Sequence, residues 1–228
     1  MDDGGSAGVV EATSHHIGEP RWAMAIAVIA AGALHATLPD NVRSLGAPWI
    51  YPTVVVGLLL VLVVGDPGRI DKRDPWLRVV NSILIAFITL VNAQSAVHLV
   101  RLIVINARLG TADRLLGSGA AIWTINVIAF GLWYWDLDQG GPAERANRTT
   151  RLPAFLFPEM TSPEFVRAEW YPELIDYLHV SFATATSFGP SDVSAIKHWS
   201  KLLMLLESAV SLLLAVLVVA RAINLLPG

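Results

Sequence analysis

Long apolar runs, separated by short polar or proline-bearing stretches, dominate this chain. A membrane-crossing helix needs about 17–25 mostly apolar residues. Four runs before residue 140 meet that length: residues 22–38 (WAMAIAVIAAGALHATL), 49–65 (WIYPTVVVGLLLVLVVG), 76–107, and 118–137 (SGAAIWTINVIAFGLWYWDL). A fifth spans residues 199–226. Trp22, Trp49, Trp76 and Trp199 each open a run, and Trp133, Tyr134 and Trp135 close the fourth, as expected of aromatic anchors at a bilayer interface.

Roughly 60 residues separate the fourth and fifth runs, too many for a tight turn. Residues 139–171 read as a mixed-charge, proline-rich loop. Residues 172–185 (PELIDYLHVSFATA) form a short apolar segment. A run of 10–14 such residues predicts a re-entrant or interfacial helix rather than a span. Pro172 suits a first helical turn, and Glu173 and Asp176 favour its positive dipole end. The strip that follows, TSFGPSD at residues 186–192, is neither lipid-compatible nor a plain turn. Irregular backbone at membrane depth is tolerated only where protein buries it or water lines it, so the strip suggests an aqueous path. Residues 1–20 are polar and acidic, lack a basic leader before the first apolar run, and are expected to form a disordered tail.

Composition agrees with a membrane class: 54% of the 228 residues are hydrophobic, 15% are charged, and mean hydropathy is +0.54. Soluble domains carry about 25% charged residues. A net charge of −3 is too slight to suggest a nucleic-acid partner. The absence of cysteine removes disulfides, thiolate metal sites and a Cys nucleophile. Neither HExxH, GxSxG nor a phosphate-cradling glycine loop occurs, and His15-His16 lacks a third metal ligand at usable spacing, so no enzyme and no cofactor is expected. Asp136, Asp138 and Glu144 are expected to be solvated or paired with Arg145, Arg148 and Arg151, and His35 to lie at the interface.

The segment DYLHVSFATATSFGPSDVSAIKHWSKLLMLLESAVSLLLAVLVVARAI resembles the pore helix, filter and inner helix of bacterial two-span potassium channels. Thr184-Ala185-Thr186-Ser187 resembles the T-x-T-T that leads into that family's filter, and Phe188-Gly189 its Val-Gly. Asp192 matches the aspartate after the last filter glycine, and Trp199, seven residues on, the tryptophan opening the inner helix. Glu207 falls where many members carry a glutamate. The resemblance covers residues 172–223. Pro190 and Ser191 depart from it, standing where the family has tyrosine and a second glycine.

Taken with the runs, the resemblance implies an all-α, multi-pass protein of the bacterial inner (plasma) membrane, with five transmembrane helices and a re-entrant pore helix and filter-like strip between the fourth and fifth. Beyond the tail at 1–20, a three-span region covers 21–116 and a pore-like module 117–228. That module comprises an outer helix at 118–137, a loop at 139–171, a pore helix at 172–185, a filter-like strip at 186–192 and an inner helix at 199–226. It implies a homotetramer, because one strip cannot surround an ion. The expected activity is passive conduction of a monovalent cation, K+ first and Na+ second, with no metal beyond the permeant ion. Thr186, Ser187, Phe188, Gly189, Pro190 and Ser191 would form the conducting strip, with Thr184, Asp192, Trp199 and Glu207 in support. Glu207 is expected to brace the pore-helix end, Ser187 or Thr186, and Ser211 stands near the family's hinge glycine.

Two alternatives stay open. One is a non-conducting scaffold or sensor with a pore-like fold. The other is a proton-coupled transporter using the polar third run, where Asn92, Ser95 and Leu99 share a face and His98 and Arg101 stand three apart; interhelical hydrogen bonding is the commoner use of such groups. Orientation is also open. Arg69, Lys72 and Arg73 share a side with Arg145, Arg148, Arg151 and Arg167, opposite Arg43, Arg108, Arg114 and Arg221. The positive-inside rule makes the first side cytoplasmic, inverting the pore as in glutamate-receptor channels; the resemblance implies the reverse.

Overall fold

The structure is a computed structural model that describes residues 18–43, 45, 47–105, 111–147, 151–165, 170–186 and 192–225. It is mainly helical: α1 (Arg21–Ala36), α2 (Ile50–Gly65), α3 (Pro75–Val104), α4 (Ala112–Leu137), α5 (Pro142–Ala146), α6 (Pro158–Thr161), α7 (Leu174–Thr186) and α8 (His198–Ile223). The strands are short, two residues each. β1 (Glu19–Pro20) pairs antiparallel with β2 (Arg69–Ile70), and β3 (Phe155–Leu156) with β4 (Ser194–Ala195).

Among the described residues three helices, α3, α4 with its 3-10 extension to Gly140, and α8, are long and apolar enough to cross a membrane, so the chain is a membrane protein. Helices α1 and α2 have 16 residues each, about 24 Å of helix against a hydrocarbon core of about 30 Å. Local chemistry explains several helix starts. Asp74 caps α3 by accepting from the Trp76 N–H at 3.0 Å, with Pro75 in the first turn. Asp176 accepts from the Glu173 N–H at 2.8 Å, one half of a capping box at the head of α7.

Helix α4 is the centre of the bundle, packed by α1, α3, α7 and α8. Its glycines allow two of these approaches. A β-carbon on Gly131 would lie 3.2 Å from the Leu178 backbone in α7, and one on Gly119 would lie 2.7 Å from a Val218 methyl in α8. Helix α3 joins through the Asn92 side chain, which donates to the Ile122 carbonyl at 3.1 Å. Asn92, Ser95 and Leu99 are all buried along that face, whereas Gln94 and Arg101 are exposed.

Several expected boundaries and environments differ. The fourth run begins six residues early, at Ala112, with Thr111 rather than Ser118 at its edge. Residues 18–20, expected within the tail, are built into the fold: Glu19 is buried and β1 is tied to the α2–α3 turn. The loop at 139–171 holds α5, β3, α6 and two 3-10 turns over a cluster of Phe155, Phe157, Trp170 and Tyr177. Tyr134 and Trp135 are inside the protein, because their polar tips find protein partners there; only Trp133 is half-exposed. His35 is buried and stacks on Tyr51 with ring centroids 4.1 Å apart, so it is not interfacial. Trp22, Trp49 and Trp76 are exposed, as anchors should be, whereas Trp199 packs edge-on against Phe155.

Candidate functional site

Residues 117–228, which the sequence suggested as a pore-like module, pack chiefly through α4, α7 and α8. Helix α7 runs antiparallel to α4. At its head, Glu19 accepts from the Leu174 N–H at 2.7 Å and from the Trp135 indole at 2.6 Å, fixing α7 beside the C-terminal end of α4. At its tail, Phe182 meets Trp123 edge-to-face at 5.8 Å, and the Thr184 carbonyl accepts from the Ser208 hydroxyl at 3.1 Å. Its 13 residues cover about 20 Å, so α7 ends partway down the bundle. By Ser194 the chain is back at the starting end. There β4 pairs with β3, and Ala154 joins the two layers: its carbonyl accepts from the Ile196 N–H at 2.8 Å, and its N–H donates to Asp138 at 2.6 Å.

Three hydroxyl residues, Tyr177, Ser181 and Thr184, lie buried along one side of α7 at helical spacing. Tyr177 donates to the Asp138 carboxylate at 2.6 Å, and the Arg145 guanidinium sits 4.9 Å above its ring. Ser181 meets both the Val127 carbonyl, at 2.7 Å, and Glu207. Thr184 turns back onto the Val180 carbonyl at 2.7 Å. Glu207 of α8, with no exposed surface, therefore joins Ser181 of α7 to Tyr134 of α4, whose hydroxyl donates to its other oxygen. One turn on, Asn126 of α4 donates to the Ser211 hydroxyl at 3.1 Å. Polar groups thus lock all three helices together in a medium where unsatisfied groups are costly.

The sequence-derived site residues fare unequally. Thr186, expected to open the strip, is the last residue of α7, because its hydroxyl donates back to the Phe182 and Ala183 carbonyls at 2.9 and 3.1 Å. Ser187, Phe188, Gly189, Pro190 and Ser191 lie outside the described residues. Asp192 is exposed. Glu207 takes Tyr134 and Ser181 as partners; of the expected partners, the pore-helix end, Ser187 or Thr186, it meets the helix itself, at Ser181, five residues before its last residue. Asp136 and Asp138 are buried rather than solvated. Asp136 accepts from Asn81 and Ser82, at 2.6 and 2.8 Å, and Glu144 faces Arg73 at 3.5 Å. Arg145 donates instead to the Trp135 and Asp138 carbonyls, at 2.8 and 2.9 Å.

Sequence reasoning missed Tyr134, Ser181, Tyr177 and Glu19. The stripe of hydroxyls at 177, 181 and 184 was the available signal, since polar side chains four and three apart on one face of an apolar helix require partners. Glu19 carried no such signal. Burial raises its pKa above the ordinary carboxylate value, against the opposing pull of the Trp135 and Leu174 N–H groups and the Arg145 charge. No protein-family model, curated protein or solved structure matches the chain.

Proposed function

We propose that residues 117–228 form a homotetrameric pore that passively conducts monovalent cations, in a protein of five membrane-crossing helices with α7 as a re-entrant pore helix. The observation that carries this reading is the half-length helix α7, pinned at its head by Glu19 and at mid-bundle by Glu207 and Ser208, with the chain returning to the same end by Ser194. A helix ending partway down the bundle directs its negative dipole end toward the interior, where a dehydrated cation would be stabilised. Carbonyl and hydroxyl oxygens of residues 186–189 would replace its water. Helices α1 and α2 are short for spans, and thinning or snorkelling accommodates that mismatch at modest cost.

Pro190 and Ser191 favour a second reading, a scaffold that keeps the fold without conducting. Proline removes an amide donor, and serine resists left-handed backbone that glycine adopts without penalty. In the conducting reading the same substitutions shorten the ladder of coordination cages, so K+ is preferred over Na+ less strongly than through a TVGYG strip. Ion-substituted flux in liposomes tests the pair. Wild-type protein is expected to pass K+ and Na+, and Thr186→Ala or Gly189→Ala to abolish or alter that flux while expression holds. Wild-type-level flux in both variants removes the strip from conduction; no flux in any of them favours the scaffold.

A further inference from the structure

We propose that the polar end of the bundle binds an anionic phospholipid bearing a headgroup hydroxyl, of the phosphatidylglycerol type, with its phosphate in a basic cavity and one acyl chain in the adjoining groove. The cavity, of about 280 Å³, opens between the α2–α3 turn, the end of α4 and α5. That volume is at the small end for ligand sites and suits a headgroup. Next to it, an apolar groove between α2 and α3 is lined by Leu60, Val61, Val64 and Trp76, all exposed. Asp74 and Leu77 line both spaces, which sets the two side by side. Trp76 is 64% exposed at the start of α3, and an exposed tryptophan at a helix head marks headgroup depth.

The chemistry inside selects the ligand. Arg21 and Asp66 neutralise one another at 2.9 Å. Lys72 also approaches Asp66, at 3.8 Å, and Arg73 faces Glu144 at 3.5 Å; over the whole lining Arg21, Lys72, Arg73, Arg78 and Arg151 exceed Asp66, Asp74, Asp136 and Glu144 by one formal positive charge. A phosphodiester carries one negative charge, and guanidinium groups present paired donors to it. Both Asp136 oxygens accept hydrogen bonds, from Asn81 and Ser82. The acceptor left over is the Asn81 Oδ1, in a residue 7% exposed that lines the cavity; it has no protein partner. A buried acceptor without a donor is costly; the Asn81 Oδ1 has almost no accessible surface in the unliganded chain, so a small turn of that side chain is needed to bring it to a headgroup hydroxyl, which supplies the donor without adding charge. An ammonium would also donate, but it would leave the positive excess uncompensated.

The full chain in mild detergent is incubated separately with phosphatidylglycerol, phosphatidylethanolamine, phosphatidylcholine and glycerol 3-phosphate at equal concentration, and retained lipid and thermal midpoint are read by native mass spectrometry and melting. Phosphatidylglycerol is expected to be retained and to raise the midpoint, and the others not. Lys72→Gln with Arg78→Gln alters exposed side chains and is expected to lower phosphatidylglycerol retention about tenfold without changing phosphatidylcholine background. If that double variant does not fold, Lys72→Gln alone is expected to lower retention about threefold. Equal retention of all three lipids would mean unspecific annular lipid, and preference for phosphatidylethanolamine would mean an ammonium site. Stabilisation by glycerol 3-phosphate equal to that by the lipid would mean a site for soluble phosphate esters. Each of these outcomes, or unchanged retention in the folded variant, overturns the proposal.

Discussion

Glu207 has two neighbouring hydroxyls to satisfy, and its tolerance to substitution follows from counting protons. Tyr134 donates to one oxygen, while Ser181 has one proton and two acceptors nearby, Glu207 and the Val127 carbonyl. In Glu207→Gln the amide oxygen accepts from Tyr134, and the amide nitrogen donates to Ser181, whose proton then serves Val127. The expected cost is below about 1 kcal/mol. Glu207→Leu leaves two buried hydroxyls without that partner and is expected to cost about 2–5 kcal/mol; denaturation in detergent ranks the two. Equal damage would mean that the charge matters. Glu19 gives a pH signature. Its folded-state pKa is raised by burial, so the folded chain holds that proton more tightly than the unfolded chain. Its contribution to stability is full at acid pH and is lost as pH rises from the ordinary carboxylate range through the raised value. The midpoint of Glu19→Gln relative to wild type is therefore expected to rise with pH across that window. A fall would mean that the Trp135 and Leu174 hydrogen bonds outweigh burial.

At the scale of helices, two glycines of α4 make different kinds of close approach. The β-carbon of Gly119→Ala meets the methyls of Val218 at 2.7 and 2.9 Å, flexible matter that a second change can remove. Alone it is expected to cost about 1–3 kcal/mol, and Val218→Ala should recover at least about 1 kcal/mol of that in a double-mutant cycle. Gly131→Ala meets the Leu178 backbone as well as its side chain, so Leu178→Ala should relieve it less. Additive energies at 119 and 218 would show that α4 and α8 do not press together there. Because α7 carries the strip in the proposed pore, displacement at Gly131 should also reduce ion flux more than Gly119→Ala does.

For the whole molecule, the distribution of burial is uneven among the long helices. In the most apolar stretch of α4 67% of residues are buried, against 22% in α8. Leu202, Leu205, Leu212, Leu213 and Val216 of α8 are each more than half exposed. The hydroxyl lock on its other side orients α8 against α4 and α7 and leaves this surface outward, where lipid or, in the proposed pore, neighbouring copies would cover it. Native mass spectrometry of the detergent-extracted chain is expected to give four copies. A monomer or dimer would reject a pore, whatever the flux of contaminants.

What the sequence determined by itself is what short-range chemistry controls. The apolar runs mark the long helices because lipid offers backbone groups no partners. Asp74-Pro75 and Glu173 with Asp176 start α3 and α7 because caps act within one turn. Tertiary structure decided which way the ambiguous side chains face. Tyr134 and Trp135 have an apolar body and a polar tip, so hydropathy scores them alike at a headgroup and inside a protein. They turned inward because Glu207 and Glu19 supply acceptors from 73 and 116 positions away. The hold of Glu19 on Leu174 spans 155 positions, and the basic cavity combines residues from four separate stretches of chain. Periodicity within one helix can show that a polar side chain needs a partner, as the hydroxyls of α7 do, but not which residue folding brings to it from so far along the chain.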